Sequence, residues 1–130
     1  MHMITDQISI FIENRSGRLA EILSVLEREK IAIHALSLAD TSNFGILRII
    51  ARDHASAIAR LHKIGVAASE NRIISITPTA EMPVSQILTV LSEAGLFVEY
   101  MYTIDGTVGS IAVSVNDADA AEAALCKAAR

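Results

Sequence analysis

The stretch "ILSVLEREKIAIHALSLAD" (22–40) decides the fold, because the sequence repeats its pattern as "ILTVLSEAGLFVEYMYTID" (87–105), an offset of 65 residues (87 minus 22). A second pair, "FGILRIIARDHASAIARL" (44–61) and "VGSIAVSVNDADAAEAAL" (108–125), has an offset of 64 (108 minus 44). Two offsets this close predict two copies of one unit of about 65 residues. The recurring pairs are Ile22 and Ile87, Leu23 and Leu88, Val25 and Val90, Leu26 and Leu91, Gly45 and Gly109, Asp53 and Asp117, Ala57 and Ala121, and Leu61 and Leu125.

Apolar residues follow the same order of spacings, alternating and then helical, in each copy. An alternating apolar run predicts a strand, and leucine and isoleucine at helical spacing predict a helix after it. Two further strands follow, and a second helix begins after Asp53 or Asp117, which are favourable N-cap residues. The paired strands are predicted near 32–39 and 44–51 in the first copy, and near 97–104 and 108–115 in the second.

The order β-α-β-β-α is that of a ferredoxin-like fold. A short strand near 67–69 completes the order β-α-β-β-α-β in the first copy, whereas the second copy stops at Arg130 without one. We therefore expect an α/β fold, an α+β sandwich of two tandem ferredoxin-like units, with the second lacking its final strand. The expected boundaries are 4–70 for domain 1 and 72–130 for domain 2.

The composition argues against several classes of function. A net charge of −4 and 4% aromatic residues argue against nucleic-acid binding. The apolar runs are too short for a membrane span, and no signal-peptide pattern begins the chain. A single cysteine, Cys126, favours a reducing cytoplasm. The four histidines have no metal-ligand spacing and no nucleotide-binding glycine pattern occurs, so we expect neither a metal nor a cofactor.

The segment Asn14–Leu19 joins the first predicted strand to the first predicted helix, and it allows two interpretations. In the structural one, Ser16 caps the helix and Gly17 supplies an unusual backbone angle. In the functional one, a carboxylate approaches the helix N-terminus at Gly17, while the amide of Asn14 contacts an amine. The residues alone leave both interpretations open.

The region from Glu13 to Asp53 resembles an ACT domain, a small ligand-binding regulatory module often attached to enzymes of amino-acid metabolism. The first loop of that family commonly reads Asn-x-Pro-Gly-x-Leu, and a serine stands here in place of the proline. As two tandem copies, the resemblance covers essentially the whole chain. The loop residues that carry it, and the candidate binding residues, are Asn14, Arg15, Ser16, Gly17, Arg18 and Leu19.

The resemblance implies a ligand site. ACT domains pair side by side, and an amino acid binds where the first loop of one domain faces the second strand of its neighbour. Carried over, Asn14 and Gly17 would hold the amino and carboxylate ends of the ligand. Glu99, Tyr100 and Tyr102 on the strand "VEYMY" would line the site. The second loop, "TPTAEMPVSQ" (77–86), lacks the asparagine and the glycine, so the resemblance carries no site to it.

Three functions remain possible on the sequence. The first is a free-standing regulatory or sensor protein, not an enzyme, which binds a free amino acid and acts on an unidentified enzyme. The second is a ligand-free structural dimerisation module. The third is a small enzyme such as an acylphosphatase, with Arg15 and Asn43 at its site. The strand "FGILRIIA" (44–51) is apolar on both faces, so its second face needs a cover, either the second copy or a second chain. We expect a homodimer.

Overall fold

The structure is a computed structural model that describes residues 3–13, 15–40, 44–104 and 109–129. Four helices and six strands follow one another along these ranges, in the predicted order except at the fourth strand. The elements are β1 (Ile4–Glu13), α1 (Arg18–Arg28), β2 (Ile33–Asp40), β3 (Phe44–Ala51), α2 (His54–Lys63), β4 (Ala68–Ile76), α3 (Val84–Glu93), β5 (Val98–Ile104), β6 (Ser110–Val115) and α4 (Ala118–Ala128).

The chain divides into two compact units. The first unit is Asp6–Asn71, and the second is Arg72–Arg130 together with Met1–Thr5. In the first unit, β3 pairs antiparallel with β1 on one side and with β2 on the other. The Phe11 N–H donates a 3.1 Å hydrogen bond to the Ala67 carbonyl, so the chain entering β4 lies beside β1. This arrangement completes the ferredoxin-like order within the first unit.

The second unit repeats this arrangement with a strand taken from the start of the chain. Here β6 pairs antiparallel with β4 and with β5. The Ser75 N–H donates a 2.6 Å hydrogen bond to the Met3 carbonyl. The Glu122 carboxylate on α4 accepts hydrogen bonds from the backbone of Met3 (3.1 Å) and Ile4 (3.3 Å). Met3–Thr5 thus lie where the final strand of a ferredoxin-like unit would pair with β4.

Each unit has its own hydrophobic core, and the repeat predicts which residues form it. Apolar residues from two helices and the strands between them are fully or nearly fully buried in each core. This burial confirms the sequence repeat as a structural one. The equivalent core residues are Ile22, Leu26, Leu47, Ile49, Ala57 and Leu61 in the first unit, and Ile87, Leu91, Ile111, Val113, Ala121 and Leu125 in the second.

The structure departs from the sequence-based prediction in β4. The sequence suggested a short strand near 67–69 followed by a separate strand around Ile74 and Ile76. The structure has one strand, Ala68–Ile76, whose first residues belong to the first unit and whose last residues belong to the second. The polar residues of "SENR" (69–72) interrupt the apolar alternation without interrupting the strand, because exposed strand positions accept polar side chains.

The second helix of each copy begins as predicted. The Asp53 carboxylate accepts a 3.2 Å hydrogen bond from the Ser56 N–H, and the Asp117 carboxylate accepts a 3.0 Å bond from the Ala120 N–H. Each bond satisfies a backbone donor that a helix N-terminus leaves without an intrahelical partner. In the described ranges, none of the helices has the length and apolar character needed to cross a membrane.

Candidate functional site

Gly17 begins helix α1 with a backbone conformation that favours glycine. Its φ is 84° and its ψ is −10°, and it is the N-cap residue of the helix. Residues other than glycine rarely adopt this left-handed backbone conformation. The exposed Ser16 does not cap the helix, so that part of the structural interpretation is wrong. A Cβ built on Gly17 would have no heavy atom within 4 Å, so the backbone here is open to an approaching group.

The two arginines of the loop share one carboxylate. Arg18 Nη1 lies 3.1 Å from Glu21 Oε1, and Arg15 Nη2 lies 3.7 Å from Glu21 Oε2. Glu21 is in the first turn of α1, where a negative charge is favourable. The positive potential of the loop is therefore partly neutralised within the loop, and an incoming anion would compete with Glu21 for the arginines.

Two residues of the sequence-based hypotheses, Asn14 and Asn43, lie outside the described residues. The contacts of Asn14 with a ligand, and the pairing of Asn43 with Arg15, therefore stay predictions. Leu19 is half-buried and packs against the core of the first unit, which anchors the loop to the helix.

Tyr100 and Tyr102 share one face of β5. They lie opposite Ser114 and Ala112 on β6, and their rings are stacked with centroids 6.5 Å apart and planes 8° apart. A register shift between Val98 and Tyr100 marks a β-bulge at Glu99. The Ser114 hydroxyl donates a 2.9 Å hydrogen bond to Glu99 Oε1. The bulge thus brings the Glu99 carboxylate to a residue that faces Tyr100.

The first copy has the same bulge with different residues around it. Its register shift lies between Ile33 and Ala35, so His34 occupies the bulged position. The aromatic and acidic residues are thus confined to the strand of the second copy, while the glycine-containing loop is confined to the first. At the offset of 65, Glu99, Tyr100 and Tyr102 correspond to His34, Ala35 and Ser37.

In the second loop (77–86), backbone groups form hydrogen bonds with one another. The Thr79 N–H donates to the Met82 carbonyl at 3.0 Å, and the Met82 N–H donates to the carbonyl (3.2 Å) and the hydroxyl (3.0 Å) of Thr79. The N-cap residue of α3 is Pro83, which has no N–H to offer. This closed turn differs from the open backbone at Gly17.

A cluster of ionisable side chains in the first unit was not found by sequence reasoning, because its members are distant in the chain. His54 Nε2 lies 3.3 Å from Asp6 Oδ2, and His54 Nδ1 lies 2.9 Å from Glu70 Oε1. The three residues offer ligand atoms close enough together for a metal ion. However, each carboxylate is nearest to a different ring nitrogen, and one ion can take only one lone pair of an imidazole. In this arrangement the imidazole of His54 lies between the carboxylates of Asp6 and Glu70.

Comparisons with known proteins agree with this architecture. The family model described as "ACT domain pair" matches residues 3–128. The crystal structure of protein BT0572 from Bacteroides thetaiotaomicron is 33% identical, with a TM-score of 0.87 over 96% of this chain and 88% of that one. No curated protein sequence matches the chain.

Two further structures are similar in fold. The ligand-free regulatory subunit of aspartate kinase from Thermus thermophilus is 19% identical, with a TM-score of 0.68 over 95% of this chain and 90% of that one. The regulatory subunit of aspartate kinase from Thermus flavus is 20% identical, with a TM-score of 0.64 over 99% and 98%. The repeat, the two ferredoxin-like units and the family match lead to one conclusion: the chain belongs to the ACT domain family, as an ACT domain pair.

Proposed function

We propose that this chain is a regulatory module that binds a free amino acid at the loop Asn14–Leu19. The observation that carries the proposal is Gly17, which combines a positive φ with open space at the start of a helix. A carboxylate can approach this backbone more closely than it could approach a residue with a side chain. The regulatory subunits of aspartate kinase that share the fold support the regulatory part of the proposal.

The helix N-terminus provides the attraction for the carboxylate. The first N–H groups of a helix have no intrahelical partners and lie at the positive end of its dipole. Arg15 and Arg18 add positive charge, although Glu21 offsets part of it. The ligand carboxylate would therefore bind mainly to backbone donors near Gly17, and the Asn14 amide would contact the ammonium group.

Glu99, Tyr100 and Tyr102 are the second set of proposed ligand residues. A carboxylate is a suitable partner for an ammonium group, and the hydrogen bond from Ser114 holds Glu99 in one orientation. The stacked tyrosines offer apolar surface for a ligand side chain. This set is tested separately from the loop, because its variants leave α1 intact.

Calorimetric titration against all twenty amino acids tests the proposal. We expect one amino acid to bind, and Asn14→Ala to weaken its binding by at least about tenfold, the cost of a hydrogen bond to a charged group. Gln86→Ala, which removes an exposed amide from α3, is the matched control and should bind normally. Equal affinity for wild type and Asn14→Ala would remove Asn14 from the site.

The second candidate function is a ligand-free dimerisation module. It is favoured by the two loop arginines, which already have a partner in Glu21. The absence of binding to any amino acid, together with a stable dimer, would support this alternative. The apolar residues Phe11, Leu36, Leu38 and Phe44, each about half exposed on the first unit, suit a homodimer under either function.

The remaining parts of the proposal concern activity and location. We propose that the chain is not itself an enzyme and that it regulates an enzyme of amino-acid metabolism. An assay with a generic acyl phosphate distinguishes this proposal from the acylphosphatase hypothesis. Hydrolysis of the acyl phosphate would contradict the proposal that the chain is not an enzyme. We place the protein in the cytoplasm, where the lone thiol of Cys126 stays reduced.

A further inference from the structure

Two adjoining clefts lie in the first unit, beside the last turn of α1 and along α2. The smaller has a volume of about 190 Å³ and the larger about 240 Å³, and Glu29 and Arg60 line both of them. No residue of the loop Asn14–Leu19 lines either cleft. The two clefts therefore form a candidate site that is separate from the loop.

Positive charge is concentrated around these clefts. Five of the eleven lysine and arginine residues of the chain line them, together with two carboxylates, Glu29 and Asp53. Five positive charges less two negative ones leave a local excess of +3, on a chain whose net charge is −4. Such an excess attracts anions. The basic residues are Arg28, Lys30, Arg52, Arg60 and Lys63.

Both carboxylates already have partners within the first unit. The Asp53 carboxylate accepts hydrogen bonds from the hydroxyl (2.8 Å) and the N–H (3.2 Å) of Ser56, as the cap of α2. Glu29 Oε2 lies 3.6 Å from Arg60 Nε. This contact uses one nitrogen of the Arg60 guanidinium, so the two Nη groups can donate to a ligand.

The second unit shows that the fold does not require these charges. None of the four residues at the equivalent positions is charged, although the helices and strands around them are the same. The charged clefts are thus particular to the first copy. Glu29 and Lys30 correspond to Ala94 and Gly95 at the offset of 65, and Arg52 and Arg60 correspond to Asn116 and Ala124 at the offset of 64.

Lys30 and Arg52 carry charges that the fold does not use. Lys30 has a φ of 57°, a conformation that costs a lysine more than it costs its counterpart Gly95, whose φ is 78°. Asn116, the counterpart of Arg52, accepts a 3.1 Å hydrogen bond from the Phe97 N–H. In the part of the chain that the structure describes, the side chains of Lys30 and Arg52 form no ion pair.

We propose that the smaller cleft binds the phosphate group of a small molecule, held by Lys30, Arg52 and Arg60. A phosphate group carries about −1.5 to −2 charges at neutral pH, and guanidinium groups match the geometry of its oxygens. The volume of about 190 Å³ is below the range of about 300–1,000 Å³ that is usual for whole ligands, so it suits an anionic group. The rest of an organic phosphate would lie in the larger cleft, against Val25 and Ile64.

NMR titration of the ¹⁵N-labelled full chain tests this proposal. Potassium phosphate is added at about pH 7, where the phosphate is largely doubly charged, and potassium chloride keeps the ionic strength constant. We expect saturable shifts of the amide signals of Lys30, Arg52 and Ser56. Non-saturable shifts would overturn the proposal, and so would shifts that are largest at Gly17, because they would place the phosphate at the loop.

The same titration with phenyl phosphate identifies the source of the phosphate group. Phenyl phosphate has an apolar ring beside its phosphate, and the larger cleft has apolar surface at Val25 and Ile64. Tighter binding than that of inorganic phosphate, with an added shift at Ile64, would support an organic phosphate as the ligand. Equal binding of the two probes would support free phosphate.

Three variants complete the test. Arg52→Gln should weaken phosphate binding by at least about tenfold, the cost of a hydrogen bond to a charged group. Lys127→Gln removes the same charge from the exposed side of α4 and should bind normally. Lys30→Gly should weaken binding without lowering the urea midpoint of unfolding, because glycine adopts a positive φ readily.

A purely structural role for Lys30 predicts the opposite result, a lower urea midpoint with unchanged phosphate binding, and this result would overturn the proposal. Equal affinities of wild type and Arg52→Gln, or equal losses in Arg52→Gln and Lys127→Gln, would overturn it as well. These outcomes do not depend on whether an amino acid binds at the loop, because none of the three substitutions changes a loop residue.

Discussion

Glu99 accepts a 2.9 Å hydrogen bond from the buried hydroxyl of Ser114, the residue that pairs with Tyr100. Strict alternation along β5 would instead direct Glu99 away from the face of Tyr100. The β-bulge interrupts the alternation, so that Glu99 can reach the face on which Tyr100 and Ser114 lie. The same bulge occurs at His34 in the first copy. The irregular strand is therefore a property of the repeated unit, and the acidic residue at this position is particular to the second copy.

The first prediction concerns Glu99. Glu99→Gln keeps the size of the side chain and its hydrogen bond from Ser114 but removes the negative charge. If the carboxylate binds a ligand ammonium, affinity for the amino acid falls by at least about tenfold. Glu93→Gln, at the end of α3, is the control and should bind normally. Calorimetry that gives equal affinities for Glu99→Gln and wild type would exclude Glu99 from the site.

The second prediction concerns Gly17. Gly17→Ala should lower the free energy of unfolding by about 1–2 kcal/mol, because its φ of 84° is costly for a residue with a Cβ. Crowding is not the cause, since a Cβ there has no heavy atom within 4 Å. Gly17→Asn should cost less, because asparagine tolerates this region better. Ser16→Ala should have little effect on unfolding in urea, and a large effect would restore the capping role for Ser16.

The third prediction tests the equivalence of the two cores. Leu26 and Leu91 are both 0% exposed and occupy matching positions on α1 and α3. Leu26→Ala and Leu91→Ala should each lower the free energy of unfolding by about 2–5 kcal/mol. Leu36→Ala, at a position that is 53% exposed, should cost far less. Denaturant unfolding measures the free energy of unfolding of the three variants. A large loss of stability from only one of the two core variants would contradict the equivalence of the cores.

The fourth prediction concerns acid stability. Two hydrogen bonds from the Arg72 guanidinium, at 2.9 and 3.0 Å, and its positive charge lower the pKa of the Asp119 carboxyl below its ordinary value of 3.8. A carboxyl whose pKa is lower in the folded state stabilises the fold above pH 3.8. That contribution is lost as the pH falls through the lowered pKa.

Asp119→Asn should therefore lower the melting temperature at neutral pH and match wild type in strong acid. Because the pair is exposed, about 1 M salt should reduce the difference at neutral pH. Melting curves recorded from about pH 7 to about pH 2 measure both effects. A difference between variant and wild type that stayed constant across this range would show that the ion pair is not its cause.

The fifth prediction concerns assembly. Light scattering should give a mass near twice the 13.9 kDa of one chain. Leu38 is 51% exposed on β2, and Leu38→Glu should shift the mass toward that of one chain by placing a charge in an apolar contact. Ala20→Glu adds the same charge on the exposed side of α1 and should leave the dimer intact. A monomeric wild type at micromolar concentration would contradict the homodimer.

The sequence predicted the repeated unit well because its cores obey simple periodicity. Positions such as Leu61 and Leu125 recur at a constant offset and are both buried. The sequence could not predict the hydrogen bond from the Ser75 N–H to the Met3 carbonyl, because strand partners that are distant in the chain leave no local pattern. The pairing of both loop arginines with Glu21 was missed for a different reason: side chains three and six positions apart have several possible partners.

The way in which β1 and β4 run through both units has a consequence for folding cooperativity. Ile4 and Thr5 belong to the second unit while the rest of β1 belongs to the first, and β4 changes unit between Asn71 and Arg72. Cutting the chain between those two residues would divide β4 between two fragments. The fragment that begins at Arg72 would also lack Met3–Thr5, which belong to the second unit. The two copies should therefore lose their structure in a single transition on heating, despite being repeats with separate cores.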